Sequence, residues 1–180
     1  MCSSDLMIVA KGRTVFIADT TIHELPSARE MAEIAIEAAA AARRMGHEPR
    51  VALTSFSTFG NPARAKAADV RDAVRELDNR KVDFEYDGEM SAEVALDQAL
   101  MRAAYPFCRL SGPANVLVMP GLHSANISSQ LMEKLGGVTV VGPMLIGLSK
   151  PAQIVYLGAT VGDLVNMGAL AAHDAIMLKR

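Results

Sequence analysis

Four short polar segments carry the side chains best able to do chemistry. They are Asp19-Thr20-Thr21, Ser55-Phe56-Ser57-Thr58-Phe59-Gly60, Asp87-Gly88-Glu89, and Pro120-Gly121-Leu122-His123-Ser124-Ala125-Asn126. Their common chemistry is recognition of anions and oxygens. Glycine lets a ligand approach the backbone closely, and hydroxyls with helix N-terminal N–H groups hold phosphate oxygens. The same residue types also serve as ordinary caps and turns, and from spacing alone both readings stand. The sequence has no G-x-x-x-x-G-K-[ST] and no G-x-G-x-x-G. Neither a Walker NTPase nor a standard dinucleotide fold is therefore indicated.

The other reactive residues form no constellation. His23, His47, His123 and His173 are scattered without an H-E-x-x-H pairing, so no metal site is expected. Cys2 and Cys108 make no disulfide framework, and a reducing cytoplasm is the expected compartment. Cys108, beside Phe107, reads as a half-buried structural thiol rather than a nucleophile. A formal net charge of -2 and the lack of a basic stripe argue against nucleic acid. No apolar run reaches the ~18 residues of a membrane span.

The elements that must position the four segments alternate strand and helix. Strands are predicted at Thr14 to Ala18, Arg50 to Phe56, Val82 to Tyr86, Asn115 to Met119, Val138 to Val141 and Gln153 to Tyr156. Ser27 and Glu30 form a capping box. The helix it opens presents Met31, Ile34, Ala35, Ala38, Ala42 and Met45 on one face and closes at Gly46. A second helix starts at Pro62, with Ala67, Val70, Val74 and Leu77 toward the core. Further helices are predicted over 92–104, 124–135 and 160–177. The last is nearly apolar all round, which places it inside the fold or in a subunit contact. This pattern predicts an α/β domain with a mostly parallel sheet and helices on both faces. In such sheets ligands bind at the carboxyl ends of the strands. Residues 1–11 read as a tag or gene-boundary remnant, because the patterned sequence starts near Gly12.

The ordered set SxSxxG (Ser55 to Gly60), DGEM (Asp87 to Met90), ANVLVMPGLHSANI (Ala114 to Ile127), GPMLIGLSKP (Gly142 to Pro151) and GATVGDLVN (Gly158 to Asn166) resembles the C-terminal half of the phosphate acetyl/butyryl transferase domain. Each motif is weak alone, and five in order are specific. The resemblance covers residues 12–180 and implies an isocitrate/isopropylmalate dehydrogenase-like architecture. It also implies a cleft completed by another half of the domain.

Free-standing members of that family usually place Lys where this chain has Phe59. Phe there, with ADTTIHELPSA and YPFCRLSGP, resembles the phosphotransacetylase-like domain of bacterial NADP-dependent malic enzymes. The active family also carries a Ser-Arg pair before a Gly, with an Asp five residues on. The corresponding residues here are Tyr156, Leu157, Gly158 and Asp163. Leucine offers no donor, and an Arg fork on phosphate has no alkyl substitute. Losing one such donor costs about 10²–10³-fold in rate. His123 departs from a common Asp in the same way.

The resemblance therefore implies a domain that holds an acyl-CoA without reacting it. Acetyl-CoA would be an effector, and the module would regulate and oligomerise a malic enzyme. NADP and a divalent metal would belong only to the malic enzyme domains in cis. Candidate ligand-binding residues are Ser55, Ser57, Thr58, Gly60, Asp87, Glu89, Asn126, Gly142, Pro143, Lys150, Tyr156 and Asp163, the last also the base of any surviving reaction. Arg109 and Lys150 are candidates for nucleotide phosphate contacts, with a solvated surface role open for each. Two alternatives stay open: an active phosphate acetyltransferase, and a purely structural dimerisation domain. A homo-oligomer, at least a dimer, is expected, with no cofactor resident in this chain.

Overall fold

The computed structural model describes residues 3–10 and 12–177, with the side chain of Lys66 excepted. Cys2 and Lys11 lie outside the described residues. The elements in chain order are β1 (Ser3–Ala10), β2 (Arg13–Ala18), α1 (Ala28–Arg44), β3 (Arg50–Thr54), α2 (Ala65–Arg80), β4 (Glu85–Met90), α3 (Ala92–Leu96), α4 (Gln98–Ala104), β5 (Val116–Val118), α5 (Leu122–Leu135), β6 (Thr139–Ile146) and α6 (Val161–Met177). One sheet of order β4-β3-β5-β2-β1-β6 runs through the molecule. The pairs β4/β3, β3/β5 and β5/β2 are parallel, and β1 is antiparallel to both β2 and β6. The sheet is thus mixed, with β1 alone running against the others.

That strand corrects the expectation that the pattern begins near Gly12. Residues Ser3–Ala10 form β1, which lies between β2 and β6. The polar spelling Ser-Ser-Asp hides it, because Ser3, Ser4 and Asp5 are all buried. Ala10 lies opposite Arg13, and a connection that short forces antiparallel pairing.

Alternation along the strands divides the core between two faces. Phe16, Ala18, Val51, Leu53, Val116 and Val118 meet α1 and α2, joined by Met144, Ile146 and the α6 residue Met167. Ala52 and Leu117 meet Val94, Ala95 and Met101 on the opposite face, while Ile8 and Ile17 meet Ala125 of α5. α1 lies close on the sheet because its buried face is rich in alanine. Its start is the expected capping box. Ser27 Oγ accepts from Glu30 N at 3.3 Å, and Ser27 N donates to Glu30 at 2.8 Å. The predicted core face of α2 is buried at Ala67, Val70, Val74 and Leu77.

Several predicted boundaries move. β4 starts at Glu85 and runs to Met90, so Asp87, Gly88 and Glu89 lie within the strand rather than in a loop after it. Gly88 (φ 153°) passes so near Leu53 that a Cβ would meet its carbonyl oxygen at 2.6 Å. α2 starts at Ala65, not Pro62. The helix predicted over 92–104 breaks at Asp97, whose carboxylate caps Leu100 N at 3.0 Å. No strand forms over 153–156. Instead the Gln153 carboxamide accepts from Leu145 N at 2.9 Å and donates to Leu145 O at 3.3 Å, taking the place of a strand's backbone. Cys108 is fully buried rather than half-buried, and burial pushes its thiol up. α6 is not inside the fold: Met167 is its buried residue, and Val161, Leu164, Val165 and Ile176 are exposed.

Asp5 is the costly group in this core. Its Oδ1 accepts from Ser3 Oγ at 3.0 Å, while its buried Oδ2 has no hydrogen-bond partner among the described residues. Burial raises the carboxyl well above its ordinary range, Ser3 and Arg44 oppose the rise, and Asp19 and Glu37 add to it. A carboxyl raised in the fold takes up a proton on folding, so its penalty grows as pH rises above the unfolded value. Asp5→Asn is expected to raise the melting temperature at pH ~8, with the gain shrinking toward pH ~4, the ordinary Asp value. Thermal unfolding of both proteins across that range checks it.

Candidate functional site

The predicted site residues separate into three places. Asn126, Gly142, Pro143, Tyr156 and Asp163 come together around one cavity of about 480 Å³. Ser55, Ser57, Thr58, Gly60 and Glu89 form a second centre at the ends of β3 and β4, with Asp87 farther back in β4 and paired with Arg109. Lys150 lines a third, smaller cavity of about 290 Å³ with Glu37, Arg44 and Asp174.

The second centre is a buried scaffold. Glu89 Oε1 accepts from Ser57 Oγ at 2.7 Å, Gly60 N at 2.9 Å and Arg71 at 2.8 Å. Thr58 Oγ1 accepts from Ser91 N at 3.0 Å. These contacts fold the SxSxxG loop onto β4, and Ser57, Thr58, Asp87 and Glu89 are all buried. Phe59 holds a left-handed backbone (φ 47°), with its ring 5.0 Å from Phe107 and 5.4 Å from Tyr105. An aromatic ring thus packs where a cation was at issue. Asp87 accepts from Arg109 N at 2.7 Å. The Arg109 guanidinium reaches Asp78 at 2.7 Å and Asp87 at 3.3 Å and lies 4.6 Å from the centre of the Tyr86 ring. Arg109 is thus paired with both carboxylates and does not line the cavity.

The cavity itself is built by four elements. Its floor is Thr20 and Thr21, directly after β2. One wall is the α5 face of Asn126, Ser129 and Gln130. The opposite side is Gly142-Pro143 of β6, and the rim is the loop from Val155 into α6. A Cβ on Gly142 (φ 133°) would come within 2.9 Å of Asp5 O and of the Leu6 side chain, so glycine is required there. The floor is pinned by Asp19. Its carboxylate accepts the backbone N–H groups of Ser4, Thr21, Ile22 and His23 at 3.2, 3.2, 3.1 and 2.9 Å, and also contacts the His23 imidazole. Thr20 Oγ1 donates to Ser4 O at 3.0 Å. Thr20 and Thr21 belong to one of the four polar segments, although not to the candidate ligand-binding residues, and Ser129 and Gln130 belong to neither. An Asp at a strand end followed by Thr-Thr suits a carboxylate that folds its own loop.

Around the rim, Tyr156 and Gly158 line the cavity while the Leu157 side chain between them is fully exposed. Asp163 closes a capping box on α6. Its Oδ2 accepts from Thr160 N and Thr160 Oγ1, each at 2.8 Å, and Asp163 N donates back to Thr160 Oγ1 at 3.2 Å. The backbone N–H of Thr160, and then its hydroxyl, hold the Asp163 carboxyl below its ordinary range. Lys134 also lines the cavity, with its ammonium 2.7 Å from Glu133. His123 is exposed on α5 and does not line the cavity.

The family model described as phosphate acetyl/butaryl transferase matches residues 1–172. The chain belongs to the phosphate acetyl/butaryl transferase family. It is 54% identical over 167 residues to an NADP-dependent malic enzyme of Rhizobium meliloti, a match covering 93% of this chain and 22% of that protein. It is 40% identical over 163 residues to a phosphate acetyltransferase of Paracoccus denitrificans, covering 90% of this chain and 51% of the other. A phosphotransacetylase structure from Streptococcus pyogenes superposes with a TM-score of 0.92 at 29% identity, over 98% of this chain and 54% of that one. The chain therefore spans about a fifth of the malic enzyme's length and about half of the transferases'. Within this family fold, β1 is part of the matched stretch.

Two outcomes test the site's architecture. Arg71→Ala leaves the buried Glu89 carboxylate without its counter-charge and is expected to destabilise by about 3 kcal/mol, the low end for a broken buried pair. Glu89→Gln should cost less, because Arg71 is partly exposed and can turn to water. Denaturant unfolding compares them. Asp163→Ala is expected to fray the first turn of α6 at neutral pH. A depressed carboxyl stabilises above its unfolded pKa and loses that effect as pH falls through the folded value. The difference in secondary chemical shifts at Val161 to Asp163 should therefore fade in acid.

Proposed function

We propose that this domain binds an acyl-CoA, with acetyl-CoA the probe of choice, and does not transfer the acyl group. In this reading it is the regulatory and oligomerisation module of an NADP-dependent malic enzyme, a protein that oxidatively decarboxylates malate to pyruvate. NADP and a divalent metal would be bound in the enzyme domains that lie in cis and outside this chain. A cytoplasmic location and an isocitrate/isopropylmalate dehydrogenase-like architecture belong to the same reading. Among the described residues, no helix is long and apolar enough to cross a membrane.

The observation that carries the proposal is the rim of the cavity. Where the active family has a serine and an arginine, this chain has Tyr156, a phenol, lining the cavity and Leu157, without a donor, facing solvent. The carboxylate left to act as a base, Asp163, is occupied by Thr160. Moving an acetyl group from acetyl phosphate to a thiol of pKa ~8.5 needs a base for the thiol and cations for the phosphate and the developing oxyanion. The neutral hydroxyls and amides that remain suit binding. Regulation then follows from linkage, since an effector that binds one global state better shifts a distant site by its difference in affinity. The exposed apolar residues of α6 favour a subunit contact as a second role of the same module.

Titration calorimetry with acetyl-CoA is expected to give saturable heat. A coupled assay with acetyl phosphate and coenzyme A is expected to show no turnover above the uncatalysed rate. Robust turnover would restore the transferase reading, and no heat would leave a structural domain.

A further inference from the structure

We propose that the smaller cavity, between α1, the end of β6 and α6, is a site for an α-amino acid with an apolar side chain, its ammonium held by Glu37 and its carboxylate by Lys150. The proposal is independent of the acyl-CoA reading. The cavity measures about 290 Å³, near the lower end of ligand pockets at about 300 Å³, so it suits a small molecule. Four charged side chains line it: Glu37 and Arg44 of α1, Lys150 after β6, and Asp174 of α6. Two carboxylates face two cations, and a balanced lining fits a dipolar ligand without net charge. A lone anion or a lone cation would meet one sign in its favour and the other against it.

The pairing among the four singles out two. Arg44 Nε lies 3.6 Å from Asp174, which also has the His173 ring at 4.0 Å. Glu37 and Lys150 line the same cavity, yet neither has a hydrogen bond or ion pair among the described residues, with each other or with a third group. Glu37 is half-buried. A carboxylate there gives up hydration and gains no donor in return, and a ligand ammonium supplies that donor. Lys150 is exposed, and its flexible four-carbon stem lets its ammonium meet a carboxylate in the same cavity. A molecule carrying both charges spans the gap that the two side chains leave between them. Leu148 and Pro151 add apolar surface beside the charges. That surface fits a hydrocarbon side chain, whereas an acidic or basic amino acid would bring a third charge and upset the balance.

The test titrates ¹⁵N-labelled chain with three probes built on one hydrocarbon frame: L-leucine, 4-methylpentanoate, which lacks the ammonium, and 3-methylbutylamine, which lacks the carboxylate. L-Leucine is expected to move the amide signals of Gly147, Leu148 and Asp174 saturably. It should bind at least about tenfold more tightly than either half-molecule, the loss typical of one contact between charged groups. Glu37→Gln should remove the preference for L-leucine over 4-methylpentanoate, and Lys150→Met the preference over 3-methylbutylamine. Neither side chain is tied into the fold by a hydrogen bond, and the amide signals of β3 report whether each variant keeps its structure. The absence of a saturable shift with L-leucine overturns the proposal. So does binding no tighter than that of the half-molecules, a response centred on Thr20 and Asn126 instead, or a variant that keeps the preference of its parent.

Discussion

The Asp19 carboxylate holds together what the rest of the molecule needs joined. It sits at the end of β2, in the parallel part of the sheet, and accepts an N–H from Ser4 in the antiparallel strand beside it. It also accepts three N–H groups from its own following loop. One buried carboxylate thus joins the two parts of a mixed sheet and fixes the loop that floors the cavity. Buried donors and acceptors left unpaired are expensive, and this network pairs the backbone of Ser4, while Asp5 Oδ1 is met by Ser3 Oγ. Asp5 Oδ2 lies outside it, with no hydrogen-bond partner among the described residues.

What the sequence made legible follows from which residues obey one rule at a time. α1 has a capping box, an apolar face and a terminal glycine that agree, and its predicted limits are close to the observed ones. The core positions of α2 read correctly for the same reason. β1 was missed because its first buried residues, Ser3, Ser4 and Asp5, are polar, ahead of the buried Leu6 and Ile8, and the partners of Ser4, Asp19 and Thr20, lie a strand away. Asp87 and Glu89 were read as loop residues because acidic side chains and glycine rarely fill an internal strand. Their carboxylates are instead met by Arg109 N and by Ser57, Gly60 and Arg71. The candidate site was legible in part. Asn126, Gly142, Pro143, Tyr156 and Asp163 converge, while the Ser55–Gly60 loop and Lys150 lie elsewhere. Spacing within a motif identifies strand ends, but it does not say which strand ends share a cavity.

The chemistry of the cavity turns on the difference between holding and reacting. A transition state that gathers charge needs donors already aimed at it. At the cavity Lys134 is engaged with Glu133 and Asp163 with Thr160, and away from it Arg109 is engaged with Asp78 and Asp87. Each pairing must be given up before its group can meet a ligand. Family membership does not by itself carry catalytic competence, and under the proposed function the two separate in this chain.

The cavity also lies in the least buried third of the chain. Exposed Ile127, Leu131 and Leu135 recur along α5, and α6 is anchored by Met167 alone among its fully buried side chains. Elements held by few buried contacts open at lower free energy than the core. A ligand bridging α5, the Gly142-Pro143 stretch of β6 and the start of α6 would tie these elements to the buried Thr20. Its binding energy would then appear as added order in α6, since whatever binds only the closed arrangement stabilises it by mass action. The exposed apolar face of α6 is the surface such ordering would present to a neighbour. Under the proposed function the pocket can in this way transmit its occupancy, because the helix it fixes leaves Val161, Leu164, Val165 and Ile176 exposed.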